Sequence, residues 1–145
     1  MARKKIGELL IEKGYLDKEQ LYRALESQKL SPGRKIGQIL LSEGIVNADQ
    51  LAEVFSEQSG IKMIPDEFFK KADPSILTSF PIGLAKKFKA LPLFIDTDLH
   101  VAIADTDQLL MNQLYMIYKC NVIPYVCSSN KIMDQINHAY SRVDS

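Results

Sequence analysis

The chain has 145 residues, 46% of them hydrophobic and 25% charged, a balance that excludes a disordered polar segment. Lys plus Arg and Asp plus Glu number 18 each, so a net charge of zero gives no reason to expect a nucleic acid or an anionic membrane as partner. The length suits one compact unit or two small ones.

The opening Met1-Ala2-Arg3-Lys4-Lys5 has the charge of a secretion signal, but Gly7, Glu8, Glu12, Lys13 and Gly14 interrupt the apolar core that should follow. No apolar run is long enough to span a bilayer. The expected location is the cytoplasm.

A repeat organises the first sixty residues. Lys5, Ile6, Gly7, Leu10, Gly14, Gln20, Leu21 and Gln28 recur as Lys35, Ile36, Gly37, Leu40, Gly44, Gln50, Leu51 and Gln58, at a constant offset of 30. Each copy predicts two short helices. The first runs over 6–13 and stops at Gly14, glycine being the usual residue for a left-handed helix stop. Asp17 caps the second helix, and Gln20, three places on, completes a capping box. Leu16 and Leu21 form a hydrophobic staple across that cap. The second copy repeats these devices with Gly44, Asn47, Gln50, Val46 and Leu51, and Gly60 ends its last helix. The segment 29–34 between the copies predicts a turn, from Ser31-Pro32-Gly33.

The pattern changes at Ile61. Residues 61–64 form a short apolar run that predicts a strand. Asp73-Pro74 reads as a helix start, cap then proline, and a second short helix follows Pro81. Strands are predicted over 90–95 and 99–104, joined as a hairpin at Asp96-Thr97-Asp98. A helix over 107–118 and a third strand over 121–127 complete a crossover unit, so the strands at 99 and 121 should be parallel. Ser128 or Ser129 caps a last helix carrying Ile132, Ile136 and Tyr140. The fold class is α+β: four short helices in two pairs over 1–60, packed with an α/β subdomain over 61–145 with a small mixed sheet and flanking helices.

The motifs of several chemistries are missing. A phosphate-binding loop needs Gly-Lys-Ser/Thr after a glycine-rich approach. The chain contains no Gly-Lys pair, and Gly33-Arg34-Lys35 lacks the hydroxyl. No catalytic residue is assigned, and no ATPase activity is expected. His100 and His138 read as surface or hydrogen-bonded structural residues. Asp96, Asp98, Asp105 and Asp107 read as turn and cap residues, and no metal site is assigned. Cys120 and Cys127 read as buried, reduced thiols.

The repeat, taken with Phe80-Pro81, Ala90-Leu91-Pro92-Leu93 and the run from Leu99 to Asp105, resembles the N-terminal region of type II secretion and type IV pilus assembly ATPases. The resemblance extends from about Lys5 to Tyr140. It implies a non-catalytic adaptor that docks a motor ATPase domain, in the same chain or a separate one, onto the cytoplasmic domain of an inner-membrane platform protein. Contact with the membrane would then run only through that partner.

In a subset of the family the tandem motif binds cyclic di-GMP, which makes this nucleotide the alternative ligand and no other cofactor expected. The resemblance then assigns the ligand to Lys5, Ile6, Gly7, Leu10, Gly14, Leu25 and Gln28 of the first copy. Arg34, Lys35, Ile36, Gly37, Leu40, Gly44 and Gln58 are their counterparts in and beside the second. Backbone N–H groups near Gly7 and Gly37 would face phosphate, Leu10 and Leu40 would touch the bases, and Gln28 and Gln58 would meet a guanine edge. The chain departs from the family in carrying Lys5 and Lys35 where the motif opens with Arg, and in a spacer one residue longer. Lys offers a point charge where Arg offers a planar fork.

Overall fold

The computed structural model describes residues 4–141, so Met1, Ala2, Arg3 and the end of the tail lie outside the description. The described chain divides into two units, Met1–Gly60 and Ile61–Ser145.

The first unit holds α1 (Ile6–Glu12), α2 (Lys18–Leu30), α3 (Ile36–Ser42) and α4 (Ala48–Ser59). The sequence devices act where the spacing puts them. Asp17 Oδ1 accepts from the Gln20 N–H at 2.7 Å, and Gln20 Oε1 accepts from the Asp17 N–H at 3.0 Å. Asn47 and Gln50 reproduce the box at 2.8 and 3.0 Å. Gly14, Gly44 and Gly60 take φ of +78°, +73° and +77°, the left-handed conformation that only glycine adopts without strain. The predicted turn over 29–34 is shorter than expected, because α2 runs on through Leu30. No glycine or proline stands between Lys18 and Pro32, so nothing breaks the helix earlier.

Helices of the two copies interleave. α1 packs on α4 and α2 on α3, so each copy completes the other rather than folding on itself. Leu9, Leu10, Leu16 and Ala24 of the first copy share one core with Ile39, Leu40, Val46 and Val54 of the second. Neither pair of helices could bury its apolar face alone.

The second unit opens with α5 (Glu67–Lys70), α6 (Pro74–Ser79) and α7 (Ile82–Phe88). A three-stranded sheet follows in the order β1 (Ala90–Ile95), β2 (Leu99–Ile103), β3 (Val122–Val126). α8 (Gln108–Tyr118) lies between β2 and β3 in sequence, and α9 (Ser129–Ser141) follows β3. β1 and β2 are antiparallel and β2 and β3 parallel, which makes the small sheet mixed. The Asp73 carboxylate accepts from the Ser75 N–H at 2.9 Å, so it caps α6 as its sequence implies.

The expected strand over 61–64 is a single bridge, Met63 beside Val126. The Ile64 N–H donates to the Val126 carbonyl and the Val126 N–H to the Lys62 carbonyl. Pro65 follows at once, and its lack of an N–H stops the ladder from lengthening. The sequence pattern predicts no helix at α5. It is one turn long and has no side-chain cap, so it leaves no local signal.

Two tyrosines hold the carbonyl end of α6. The Tyr118 hydroxyl donates to the Ile76 carbonyl at 2.7 Å, and Tyr140 reaches the Leu77 and Phe80 carbonyls. Burial raises both phenol pKa values, that of Tyr140 to about 12, so the hydroxyls stay protonated donors.

Candidate functional site

The assigned ligand residues occupy four kinds of place. Lys5 and Lys35 are exposed at the N-caps of α1 and α3, and the Lys35 N–H donates to Gln38 Oε1 at 3.3 Å. Ile6 and Ile36 lean half-buried on the helical core, while Leu10 and Leu40 lie fully inside it. Gly14 and Gly44 are exposed helix stops. Leu25 is exposed on α2, and Gln28 and Gln58 are half-buried on the last turns of α2 and α4.

Gly7 and Gly37 have a packing reason for being glycine. A Cβ on Gly7 would come within 2.8 Å of Leu21 Cδ1, and one on Gly37 within 3.0 Å of Leu51 Cδ1. Each is the close approach between the two helices of its own copy, at the leucine of the staple. The sequence alone did not show that contact.

The structure brings the tail of the first motif to the head of the second. Gln28 Nε2 donates to the Arg34 carbonyl at 3.0 Å. The residue ahead of each motif runs back along its own short helix: Lys4 pairs with Glu12, and Arg34 Nη2 donates to Ser42 Oγ at 3.0 Å. These pairs are equivalent in the repeat, thirty residues apart. Both side chains are thereby directed along α1 and α3 rather than beside Lys5 and Lys35.

A second cluster, missed from the sequence, lies on the sheet. His100 is only 8% exposed. Its Nε2 sits 3.0 Å from both Asp96 carboxylate oxygens and its Nδ1 3.0 Å from the Tyr125 hydroxyl. A carboxylate only accepts, so Nε2–H donates to Asp96, and in that tautomer Nδ1 accepts a hydrogen bond from the Tyr125 hydroxyl. Phe94 stacks on the ring at 4.5 Å, and Phe68 of α5 meets it edge-on at 5.9 Å. The Asp98 N–H, with His100 behind it, holds the Asp96 carboxyl below the usual carboxylate range. Burial, with Asp96 nearby, raises the Tyr125 phenol. With both nitrogens engaged, His100 ties the β1–β2 hairpin to β3 and fills the structural role read for it. His138 is an exposed residue of α9.

The other carboxylates have local duties too: Asp105 accepts from the Thr106 N–H, and Asp107 caps α8 through the Leu109 and Leu110 N–H groups. Cys127 is buried as expected, whereas Cys120, beside the end of α8, is only half-buried.

The MshEN domain family matches residues 60–145. A solved structure of MshE with cyclic di-GMP superposes with a TM-score of 0.73 and 26% identity, over 95% of this chain and 100% of that one. The N-terminal domain of XpsE superposes with a TM-score of 0.76 and 22% identity, over 91% of each chain. A second crystal form of that domain gives a TM-score of 0.61 and 23% identity, over 94% of this chain and 98% of that one. No curated protein sequence matches. The family match falls on the α/β unit, and the structural likeness extends it across the helical repeat; the chain belongs to the MshEN domain family, the N-terminal region of secretion and pilus ATPases.

Proposed function

We propose that the chain is a docking module that joins a secretion or pilus-assembly motor to the cytoplasmic domain of an inner-membrane platform protein. The observation that carries this reading is the outer face of α2, where Tyr22, Leu25 and Leu30 stand 65%, 42% and 87% exposed. Large apolar side chains clustered in water on one helix mark a surface that another protein covers, and a tyrosine among leucines has the composition of a binding hot spot. Among the described residues no helix is long and apolar enough to cross a membrane. In this reading the chain works in the cytoplasm and reaches the membrane through its partner.

Calorimetry with the purified platform domain tests this. The triple variant Tyr22→Ala, Leu25→Ala, Leu30→Ala should bind at least tenfold more weakly, about 1.4 kcal/mol, with unchanged helix content. An unchanged affinity removes the α2 face from the reading, and no binding by the parent chain removes the reading itself.

A second reading, cyclic di-GMP binding by the repeat, is favoured by the likeness to MshE with cyclic di-GMP along the whole chain. The Gln28 contact at Arg34, which joins the two motifs, supports it as well. Lys5 and Lys35 stand where the motif has Arg. Each Arg fork on a base edge contributes about 1–3 kcal/mol where it has been measured, so Lys5→Arg with Lys35→Arg should tighten the nucleotide by about tenfold or more. If neither the parent chain nor the double variant gives heat with cyclic di-GMP, the repeat is structural and docking stands alone.

A further inference from the structure

A groove of about 830 Å³ opens in the second unit between α5, α6 and α9. Its lining includes the apolar residues Phe69, Ala72, Pro74, Leu77 and Ala139. Its rim carries Lys70 and Lys131, with Asp66 as the carboxylate in the lining. That carboxylate is already engaged: Lys131 Nζ lies 2.8 Å from Asp66 Oδ1 and holds its carboxyl below the usual range. The same ammonium lies 5.0 Å from the centre of the Phe69 ring. Lys70 adds a weaker Coulombic pull on the same carboxylate, and with two lysines to one aspartate the lining is an apolar trough with an excess of positive charge.

The shape selects the class of occupant. Lys131, Gln135 and His138 line one wall along successive turns of α9. At about 1.5 Å per residue they mark out roughly 10 Å, the length of about three extended residues. Walls made of helices with an apolar lining and charged rim are the features that grip short peptide segments.

We propose that this groove docks an acidic amphipathic peptide segment of a partner protein, with an aliphatic or aromatic side chain on Phe69 and Leu77 and carboxylates on Lys70 and Lys131. The site shares no residue with the α2 face and does not depend on that reading. One peptide carboxylate displaces or shares Asp66 at Lys131, and another meets Lys70. Ion pairs of this kind are charge-assisted and strengthen as the apolar anchor excludes water.

The test is an NMR titration of the full chain with synthetic peptides in which a central Leu-Phe pair is flanked by glutamates, or by lysines in a matched control. The glutamate peptide should shift the backbone amides of 70–73, 75–78 and 131–139, and the lysine peptide should bind at least tenfold more weakly. Lys70→Glu with Lys131→Glu should reverse that preference. Lys70→Glu alone, which leaves the Asp66 bridge intact, should weaken the glutamate peptide several-fold. Equal binding of the two peptides, shifts confined to other residues, or an unchanged preference in the charge-reversed chain each overturn the proposal. Octanoate binding as tightly as the glutamate peptide would make this a small-molecule site, and amide shifts that depend on protein concentration alone would make it a self-contact. Either result also overturns the proposal. None of these outcomes bears on the platform-domain measurement with the α2 variant.

Discussion

Helix α2 buries Ala24 and leaves Tyr22 and Leu25 exposed, whereas α4, thirty residues on, buries Val54 together with Ala52 and Phe55 at the equivalent positions. Around this difference almost everything else in the two copies agrees. The capping boxes have the same partners within 0.1 Å, since Gln20 N–H to Asp17 is 2.7 Å and Gln50 N–H to Asn47 is 2.8 Å. Gly14 and Gly44 turn by nearly the same φ, +78° and +73°. Lys4 with Glu12 and Arg34 with Ser42 repeat one contact. What folds the chain is held constant between the copies, and what faces outward is free to differ. At these positions one copy keeps tyrosine and leucine in water where its twin hides alanine and phenylalanine, and this is the face on which the docking proposal rests.

The largest expected effect tests that division directly. Phe55→Ala empties a buried site in α4 and should cost about 3–5 kcal/mol, the usual loss for a core phenylalanine. Leu25→Ala removes its repeat equivalent from an exposed face and should change stability by no more than about 0.5 kcal/mol. Urea unfolding with constant slope measures both. Comparable losses at the two positions would show that the α2 face is packed in solution and is no docking surface.

Glycine at the head of each motif gives a smaller contrast. Alanine in a helix is favoured over glycine by about 1 kcal/mol, but its methyl group must fit against a leucine. At Gly7 it would meet Leu21 Cδ1 at 2.8 Å and Cδ2 at 3.0 Å; at Gly37 the Leu51 distances are 3.0 and 3.3 Å. Overpacking of this kind costs about 1–3 kcal/mol. Gly7→Ala should therefore destabilise by about 1 kcal/mol net, and Gly37→Ala should fall within about 0.5 kcal/mol of the parent chain. A gain at both positions in the denaturation midpoint would mean that packing is not what requires glycine there.

Much of this architecture was legible because its signals are local. Asp17 with Gln20, Asn47 with Gln50, and Asp73 with Pro74 each place a cap within a few residues of the groups it satisfies. The crossover from β2 through α8 to β3 was readable because chirality and connection length leave little choice. The His100 cluster was not readable in the same way. Asp96 already had a turn to explain it, and Tyr125 comes from another strand, 25 residues on. Helix α5 depends on Phe68 packing against Phe94, His100 and Tyr125, contacts that exist only once the sheet has formed.

The candidate site was legible only in part, for a physical reason. Leucines spaced to line a ligand have the same helical period as leucines spaced to fill a core. The structure puts Leu10 and Leu40 in the core that the two copies share. Gln28, placed at the Arg34 carbonyl, joins the two motifs in a way no pattern within one copy announces.

Helix endings give the last and smallest test, since the two units stop their helices with different residues. In the repeat, glycine takes the left-handed position at Gly14, Gly44 and Gly60. In the α/β unit, α7 and α8 end on Lys89 and Lys119, at φ of +51° and +56°. A left-handed conformation costs a side-chain-bearing residue about 1–2 kcal/mol, and glycine avoids that cost while losing roughly 0.5–1 kcal/mol of extra chain entropy on folding. Lys89→Gly and Lys119→Gly should each therefore stabilise the chain by about 0.5–1 kcal/mol. For a chain of this size that is a rise of roughly 2–4 °C in Tm by calorimetry. Both lysines are exposed, so truncation should not offset the gain through lost packing. A fall in Tm at either position would show that its lysine contributes more to folding than its conformation costs, and the contrast with the glycine stops would then reflect that contribution rather than tolerated strain.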